Sequence, residues 1–248
     1  MSTRMVEVRA KVLKQNDLLA RALRERFERS GTCVVGLVSS PGSGKTALLE
    51  KLLSGLAGDY RVAALVGDLA TENDAARLKR ATPNVRQITT GTICHLDAQM
   101  IERALESFGP ASFGPDSRGS DSRGAESRGF DEMDFLFIEN VGNLVCPSSY
   151  DLGEELRLVL LSATEGEDKP LKYPTIFNSS DVAIITKMDL ADAAEFDVAA
   201  ARRNIESVRP GMRVFEVSAK TGLGMEEVFD FLHSKAAGSR RTRVEATV

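Results

Sequence analysis

The run SSPGSGKT, Ser39 to Thr46, sits between the apolar stretch CVVGLVS and the apolar-periodic ALLEKLLSGL. A strand, a glycine-rich turn and a helix in that order make a P-loop, and the chemistry of a P-loop is its grip on nucleotide phosphates. Gly42, Ser43 and Gly44 let backbone N–H groups curl around phosphate oxygens, and the helix start at Lys45, Thr46 and Ala47 adds partial positive charge. Lys45 neutralises the terminal phosphates, and the Thr46 hydroxyl is a ligand for Mg2+. Where the motif usually begins with glycine, this chain has Ser39. A glycine-rich turn with a chance lysine is the plain alternative, and the flanking strand and helix argue against it.

Two acidic residues at expected strand ends can complete the magnesium shell: Asp68 in VGDLATENDAAR and Glu139 in FLFIEN. Magnesium takes few carboxylates and keeps waters and phosphate oxygens, so either can serve directly or through water. Asp74 is a lesser candidate. Each could instead cap a helix or pair with a base.

Farther along stand TKMD, Thr186 to Asp189, and SAK, Ser218 to Lys220. Guanine presents a ring N–H and an exocyclic amine side by side, and one fixed carboxylate such as Asp189 accepts both; adenine has no such pair. The Lys187 stem can lie over the purine, and backbone N–H groups near Ala219 and Lys220 can donate to the guanine carbonyl. Each string alone is weak. Their order, each after an apolar run, favours GTP over ATP. Thr186 stands where GTP-binding proteins usually carry an asparagine that braces the loop.

A different chemistry is suggested by GTICHLD, Gly91 to Asp97, and by Cys146 in ENVGNLVCP. Cys94, His95 and Cys146 offer two thiolates and an imidazole, which suit Ni2+ or Zn2+ and not Mg2+. Three ligands do not close a tetrahedral shell, but two chains face to face would duplicate the set. The alternative is that the Cys–His pair is core and Cys146 is packing. Cys33, inside an apolar run, is expected to be core.

These residues need a frame that brings strand ends together. Apolar runs at Cys33–Ser39, Val62–Val66, Val85–Ile88, Phe135–Ile138, Val182–Thr186 and Val214–Val217 alternate with helical stretches. Continuous apolar runs mark strands buried on both faces, so the expected fold is α/β, a mostly parallel sheet with helices on both faces. From about Arg4 to Arg29, Val8, Val12, Leu19, Leu23 and Phe27 recur at helical spacing, which predicts an amphipathic lead-in helix ended by Gly31.

Composition excludes several other classes. Of 248 residues, 42% are hydrophobic and 27% charged, ordinary values for a chain with a packed core. A formal charge of −4 gives no electrostatic case for nucleic acid or an anionic membrane. Three cysteines make no disulfide framework, and neither a membrane span nor a secretory signal is expected, so the chain reads as cytoplasmic. One domain is expected over residues 1–235. Within it, an insert at 109–132 contains DSRGSDSRGAESRGF, three five-residue copies almost without apolar side chains. The insert should hang at the sheet edge opposite the ligand-binding rim. Residues 236–248, small and basic, are expected to form a frayed tail.

Taken in order, SSPGSGKT, GDLATENDAAR, GTICHLDAQM, ENVGNLVCP, YDLGEELRLVLLSATEGEDKPLKYP, TKMDL and SAKTGLG closely resemble the hydrogenase nickel-incorporation GTPases, the HypB family. The resemblance spans roughly Val6 to Leu232 apart from the insert. It implies a SIMIBI-class P-loop GTPase, slow and switch-like, that dimerises around nucleotide and holds metal at Cys94, His95 and Cys146 in the subunit interface. It further implies nickel delivery to the [NiFe] hydrogenase large-subunit precursor together with a HypA-type chaperone. Ser39 agrees with the family form of the loop. Some members carry an N-terminal cysteine motif or a histidine-rich store; this sequence has no cysteine before Cys33 and only two histidines, His95 and His233. A transfer site is therefore expected, not a store. The urease accessory type shares the architecture but carries Cys-Pro-His where CHLD stands here. A nucleotide-gated metal scaffold with incidental hydrolysis is the rival of another class.

Overall fold

The computed structural model describes residues 3–68, 73–108 and 133–245, with residues 3–6, 9, 73 and 239–245 described by backbone alone. A long helix, α1 (Thr3–Ser30), leads into β1 (Cys33–Ser39), α2 (Lys45–Leu56), β2 (Val62–Asp68), α3 (Asn73–Leu78) and β3 (Val85–Thr89). Next come α4 (Ala98–Leu105), β4 (Phe135–Glu139), β5 (Leu156–Ser162), α5 (Lys169–Lys172) and α6 (Pro174–Asn178). The chain closes with β6 (Val182–Thr186), α7 (Val198–Val208), β7 (Arg213–Glu216) and α8 (Met225–Glu245).

The seven strands lie in the order β3-β2-β4-β1-β5-β6-β7, and every neighbouring pair is parallel. Alternation along each strand sends side chains to the two faces of the sheet, which carry three hydrophobic clusters. Cys33, Val35 and Leu37 of β1 face α2, α3 and α8, whose Leu48, Leu52, Leu78, Val228 and Leu232 cover that side. Val34 faces α1 and α4 through Leu23, Phe27 and Ile101, and Val38 faces α6 and α7 through Phe177 and Ile205. Cys33 is fully buried, as its apolar setting predicts.

Three expectations need amendment. The six-run reading omits β5, which is buried throughout and lies between β1 and β6. Its second residue is Arg157, a charge that reads as surface in the sequence. In the fold its guanidinium is buried beside Glu154 at 2.6 Å and donates to the Tyr150 carbonyl at 2.8 Å. Second, the apolar face of α1 is seated only in its C-terminal half: Val8 and Val12 are 58% and 45% exposed, whereas Leu23 and Phe27 are buried. Third, α8 continues to Glu245, past the start of the expected tail.

The repeat Asp116–Phe130 lies outside the described residues. On either side of the insert, Phe108 and Met133 are buried, and Met133 leads directly into the N-terminal end of β4. The P-loop, by contrast, leaves the C-terminal end of β1.

Candidate nucleotide and metal site

The C-terminal rim of the sheet gathers the chemistry. After β1 the chain turns through Gly42 and Gly44, whose φ angles of 75° and 94° are open to glycine and strained for other residues, and enters α2 at Lys45. Pro41, Gly42, Gly44, Lys45, Thr46 and Ala47 line a cleft of about 430 Å³ together with Asp68, Asp74, Arg77 and Glu139. Lys45 is buried, and its ammonium donates to Ser39 Oγ at 2.8 Å and to the Ser40 carbonyl at 3.4 Å. Burial pushes it below the ordinary lysine range, against the pull of Glu139 and Glu165. Ser39 thus holds the lysine, and its hydroxyl also meets Ser43. In place of a glycine, the chain carries a side chain that holds the P-loop lysine.

Thr46 donates from Oγ1 to Glu139 Oε1 at 2.7 Å. Glu139 is 3% exposed, and its second oxygen has no hydrogen-bond partner among the described residues. Burial raises its pKa from 4.5 to about 7, although the Thr46 hydroxyl and the Lys45 charge oppose the shift. A buried orphan carboxylate oxygen beside a threonine hydroxyl, with Asp68 on the same cleft wall, is a donor set that fits magnesium. Thr46, Glu139 and Asp68 would hold the ion, directly or through water, and a bound Mg2+ supplies charge neutralisation at the terminal phosphates. Asp74 lines the cleft as well, at the start of α3.

At the far side of the P-loop, β6 ends in Thr186, whose hydroxyl donates to the Ser43 carbonyl at 2.6 Å. The brace expected from asparagine is therefore supplied by threonine. Lys187 adopts a left-handed backbone, φ 57°, and its ammonium donates to the Gly42 carbonyl at 2.6 Å, which stretches its stem across the turn. Ser218, fully buried after β7, donates to Asp189 Oδ1 at 2.6 Å and accepts from the Thr221 N–H at 3.2 Å. Lys220 Nζ lies 3.9 Å from the other Asp189 oxygen. Asp189 is thus fixed in orientation, as recognition of two adjacent donors requires, with Ala219 and Lys220 in the adjoining turn.

Cys94, His95 and Cys146 also come together: ligand atoms from all three lie within 4.8 Å of one another, and the two sulfurs are 2.9 Å apart. All three side chains are half-buried. The His95 ring stacks on Tyr150 at 3.9 Å between centroids, and partial burial lowers its pKa. The segment from Glu139 to Cys146 joins this corner to the phosphate cleft. Asn140 Oδ1 accepts from the Leu96 N–H at 3.0 Å; Asn143 Oδ1 accepts from Val145 and Cys146, while its Nδ2 donates to the Cys94 carbonyl at 3.4 Å. Gly142 packs so closely on the P-loop that an added Cβ would sit 2.9 Å from Pro41 Cα.

A family model, CobW/HypB/UreG, nucleotide-binding domain, matches residues 33–216. The chain belongs to this family. Within it, the chain is 42% identical to the hydrogenase maturation factor HypB of Rhizobium leguminosarum bv. viciae over 234 residues, 94% of this chain and 72% of the relative. The solved structure of HypB from Helicobacter pylori in complex with nickel matches with a TM-score of 0.79 at 39% identity, covering 90% of this chain and 96% of that one. HypB from Archaeoglobus fulgidus matches with a TM-score of 0.77 at 35% identity, covering 90% and 99%. This HypB-family chain is accordingly a P-loop GTPase of the hydrogenase maturation type, with the α/β fold expected from its sequence. Among the described residues, no helix is long and apolar enough to cross a membrane.

Four residues escaped the sequence reading. Asn140 and Asn143 stand in the quoted string ENVGNLVCP, and two amides between an acidic strand end and a cysteine are a signal without a local rule. Tyr150 and Glu165 stand in the quoted string YDLGEELRLVLLSATEGEDKPLKYP, again without a local rule that assigns them a role. Glu165 binds the Ser40 hydroxyl and accepts from the Ser162 N–H at 3.1 Å, which ties the P-loop to the end of β5.

Proposed function

We propose that this chain is a GTP-hydrolysing metallochaperone that binds nickel at Cys94, His95 and Cys146 and releases it for [NiFe] hydrogenase maturation. Gly42 to Ala47 hold the phosphates; Thr46, Asp68 and Glu139 hold magnesium; Lys187, Asp189 and the Ser218–Lys220 turn read guanine. The metal site lies at the interface of a homodimer, where a second copy completes the ligand shell, and zinc is its competitor. The nickel comes from a HypA-type chaperone, and the client is the hydrogenase large-subunit precursor, in the cytoplasm. The nickel-bound Helicobacter pylori HypB supports the choice of metal.

The observation that carries this reading is the continuity of one short segment with both sites. Glu139 meets Thr46 in the phosphate cleft, and seven residues later Cys146 meets Cys94. Asn140 and Asn143 fasten the intervening turn to the Cys94–Leu96 strip, and Gly142 lies on Pro41. A γ-phosphate bound beside Pro41 and Thr46 therefore bears on the spacing of the thiols, and its loss relaxes the segment, as in other nucleotide switches. Positioning and charge do most of the work of phosphoryl transfer, so slow turnover suits a switch.

Metal titration of the nucleotide-free, GDP-bound and GTP-bound protein, with oligomeric state measured in parallel, tests the reading. Nickel affinity is expected to change with nucleotide, and the dimer to follow the same order. Identical affinity in all three states would refute it.

A further inference from the structure

We propose that Tyr150 is the positioning residue for the His95 imidazole, holding it by ring stacking in place of a hydrogen bond, so that the ligand can be surrendered when the metal is passed on. This rests on the reading of Cys94, His95 and Cys146 as metal ligands. A histidine that keeps its metal almost always donates its other ring N–H to a carboxylate or carbonyl, which fixes the tautomer and strengthens the bond. Among the described residues, His95 Nδ1 is buried without a hydrogen-bond partner, so no acceptor there orients the ring through that nitrogen. The carboxylate nearest in sequence, Asp97, caps α4, where its Oδ1 accepts from the Met100 N–H at 2.8 Å.

What holds the ring is the Tyr150 face, 3.9 Å away and inclined by 30°. Tyr150 itself is well anchored. Its carbonyl accepts from Arg157 Nη2 at 2.8 Å, and Arg157 is paired with buried Glu154. The next residue, Asp151, accepts at its carbonyl from Asn16 of α1 at 2.8 Å and pairs with Arg24 at 2.6 Å. Asn16 also accepts from the Ala98 N–H at 2.9 Å, so one buried amide of α1 pins both segments that flank the ring pair. Stacking sets the plane of the imidazole without a directional bond to either ring nitrogen. Ring stacking contributes about 1 kcal/mol in general. The fixed tyrosine and the unbonded histidine together make a ligand that is presented but not locked.

The test uses Ni2+ titration against a competing chelator on the full chain, with metal-free melting curves of each variant as the check on folding. Tyr150→Phe, which keeps the face and loses only the hydroxyl, is expected to bind within about twofold of wild type. Tyr150→Leu is expected to bind about tenfold more weakly, the lower end of what loss of a supporting partner costs. Tyr150→Met fills the same space without a ring and replaces the leucine variant if that one melts too low. In a His95→Ala background, Tyr150→Leu should cause no further loss, because the tyrosine acts through the ring. Wild-type affinity in Tyr150→Leu, or the same tenfold loss in the absence of His95, overturns the proposal. Wild-type affinity in His95→Ala overturns the ligand assignment beneath it, and that result appears in the single variant alone.

Discussion

The phosphate cleft and the thiol corner share one rim of the sheet and are built in opposite ways. In the cleft, Lys45, Thr46 and Glu139 are tied to strand and helix ends by short hydrogen bonds, and Lys45 and Glu139 are nearly out of water. In the corner, Cys94 and His95 sit on a connecting loop and Cys146 opens a short 3-10 turn, all half-buried, next in sequence to Ile93 and Val145, which are 41% and 61% exposed. The cleft has its geometry before the nucleotide arrives; the corner has its donors near one another and leaves their final arrangement open. A site that must bind one ligand reliably gains from the first design, and a site that must give its ligand away gains from the second.

Removing a fixed group should cost most. Lys45→Ala is expected to weaken GTP binding by about three orders of magnitude, the scale of truncating a buried, hydrogen-bonded charge partner, as read by nucleotide titration. Next comes Glu139. Burial pushes its carboxyl up from the ordinary 4.5 to about 7, so the folded state binds the proton more tightly than the unfolded state. Its contribution to stability is complete below the ordinary value and is lost as pH rises through about 7. Ligand-free wild type should lose on the order of 3 kcal/mol between pH 4.5 and 8 from this group, and Glu139→Gln should remove that slope in denaturant melts.

In the corner the balance should reverse. Cys146→Ser is expected to cut nickel affinity by more than the ~10-fold of a lost supporting partner, while the metal-free melting temperature moves by no more than a few degrees. A large fall in metal-free stability would mean that the corner is as prebuilt as the cleft and would break the contrast. The smallest effect belongs to the brace. Thr186→Ala removes one buried hydrogen bond to the Ser43 carbonyl, about 1 kcal/mol or roughly fivefold in nucleotide affinity. Thr186→Asn should restore it.

The same division governs what could be read from the residues in order. The P-loop, TKMD and SAK are local strings, and the physical demands of phosphate and guanine fall on neighbours in sequence, so Lys45, Thr46 and Asp189 were legible. Ser39 was legible as a departure from the motif; its bond to the Lys45 ammonium was not. The alternation of apolar runs gave six strands of an α/β sheet. It missed β5 although residues 158–161 run unbroken after Arg157, whose charge becomes tolerable in a buried strand only once Glu154 folds beside it. The helical spacing in α1 was right, but periodicity does not say how much of a face is covered, and Val8 and Val12 stay 58% and 45% exposed.

Residue types alone established that Cys94, His95 and Cys146 form a set suited to a soft or borderline cation and that the glycine-rich turn takes phosphate, since those preferences are intrinsic to thiolate, imidazole and backbone N–H groups. Folding alone placed Cys94 beside Cys146 across 52 positions of chain, laid Tyr150 on His95, and tied Glu139 through Asn140 and Asn143 to the thiols. Those relations depend on which strand ends the parallel sheet sets side by side, and no spacing along one chain encodes a distance across a sheet.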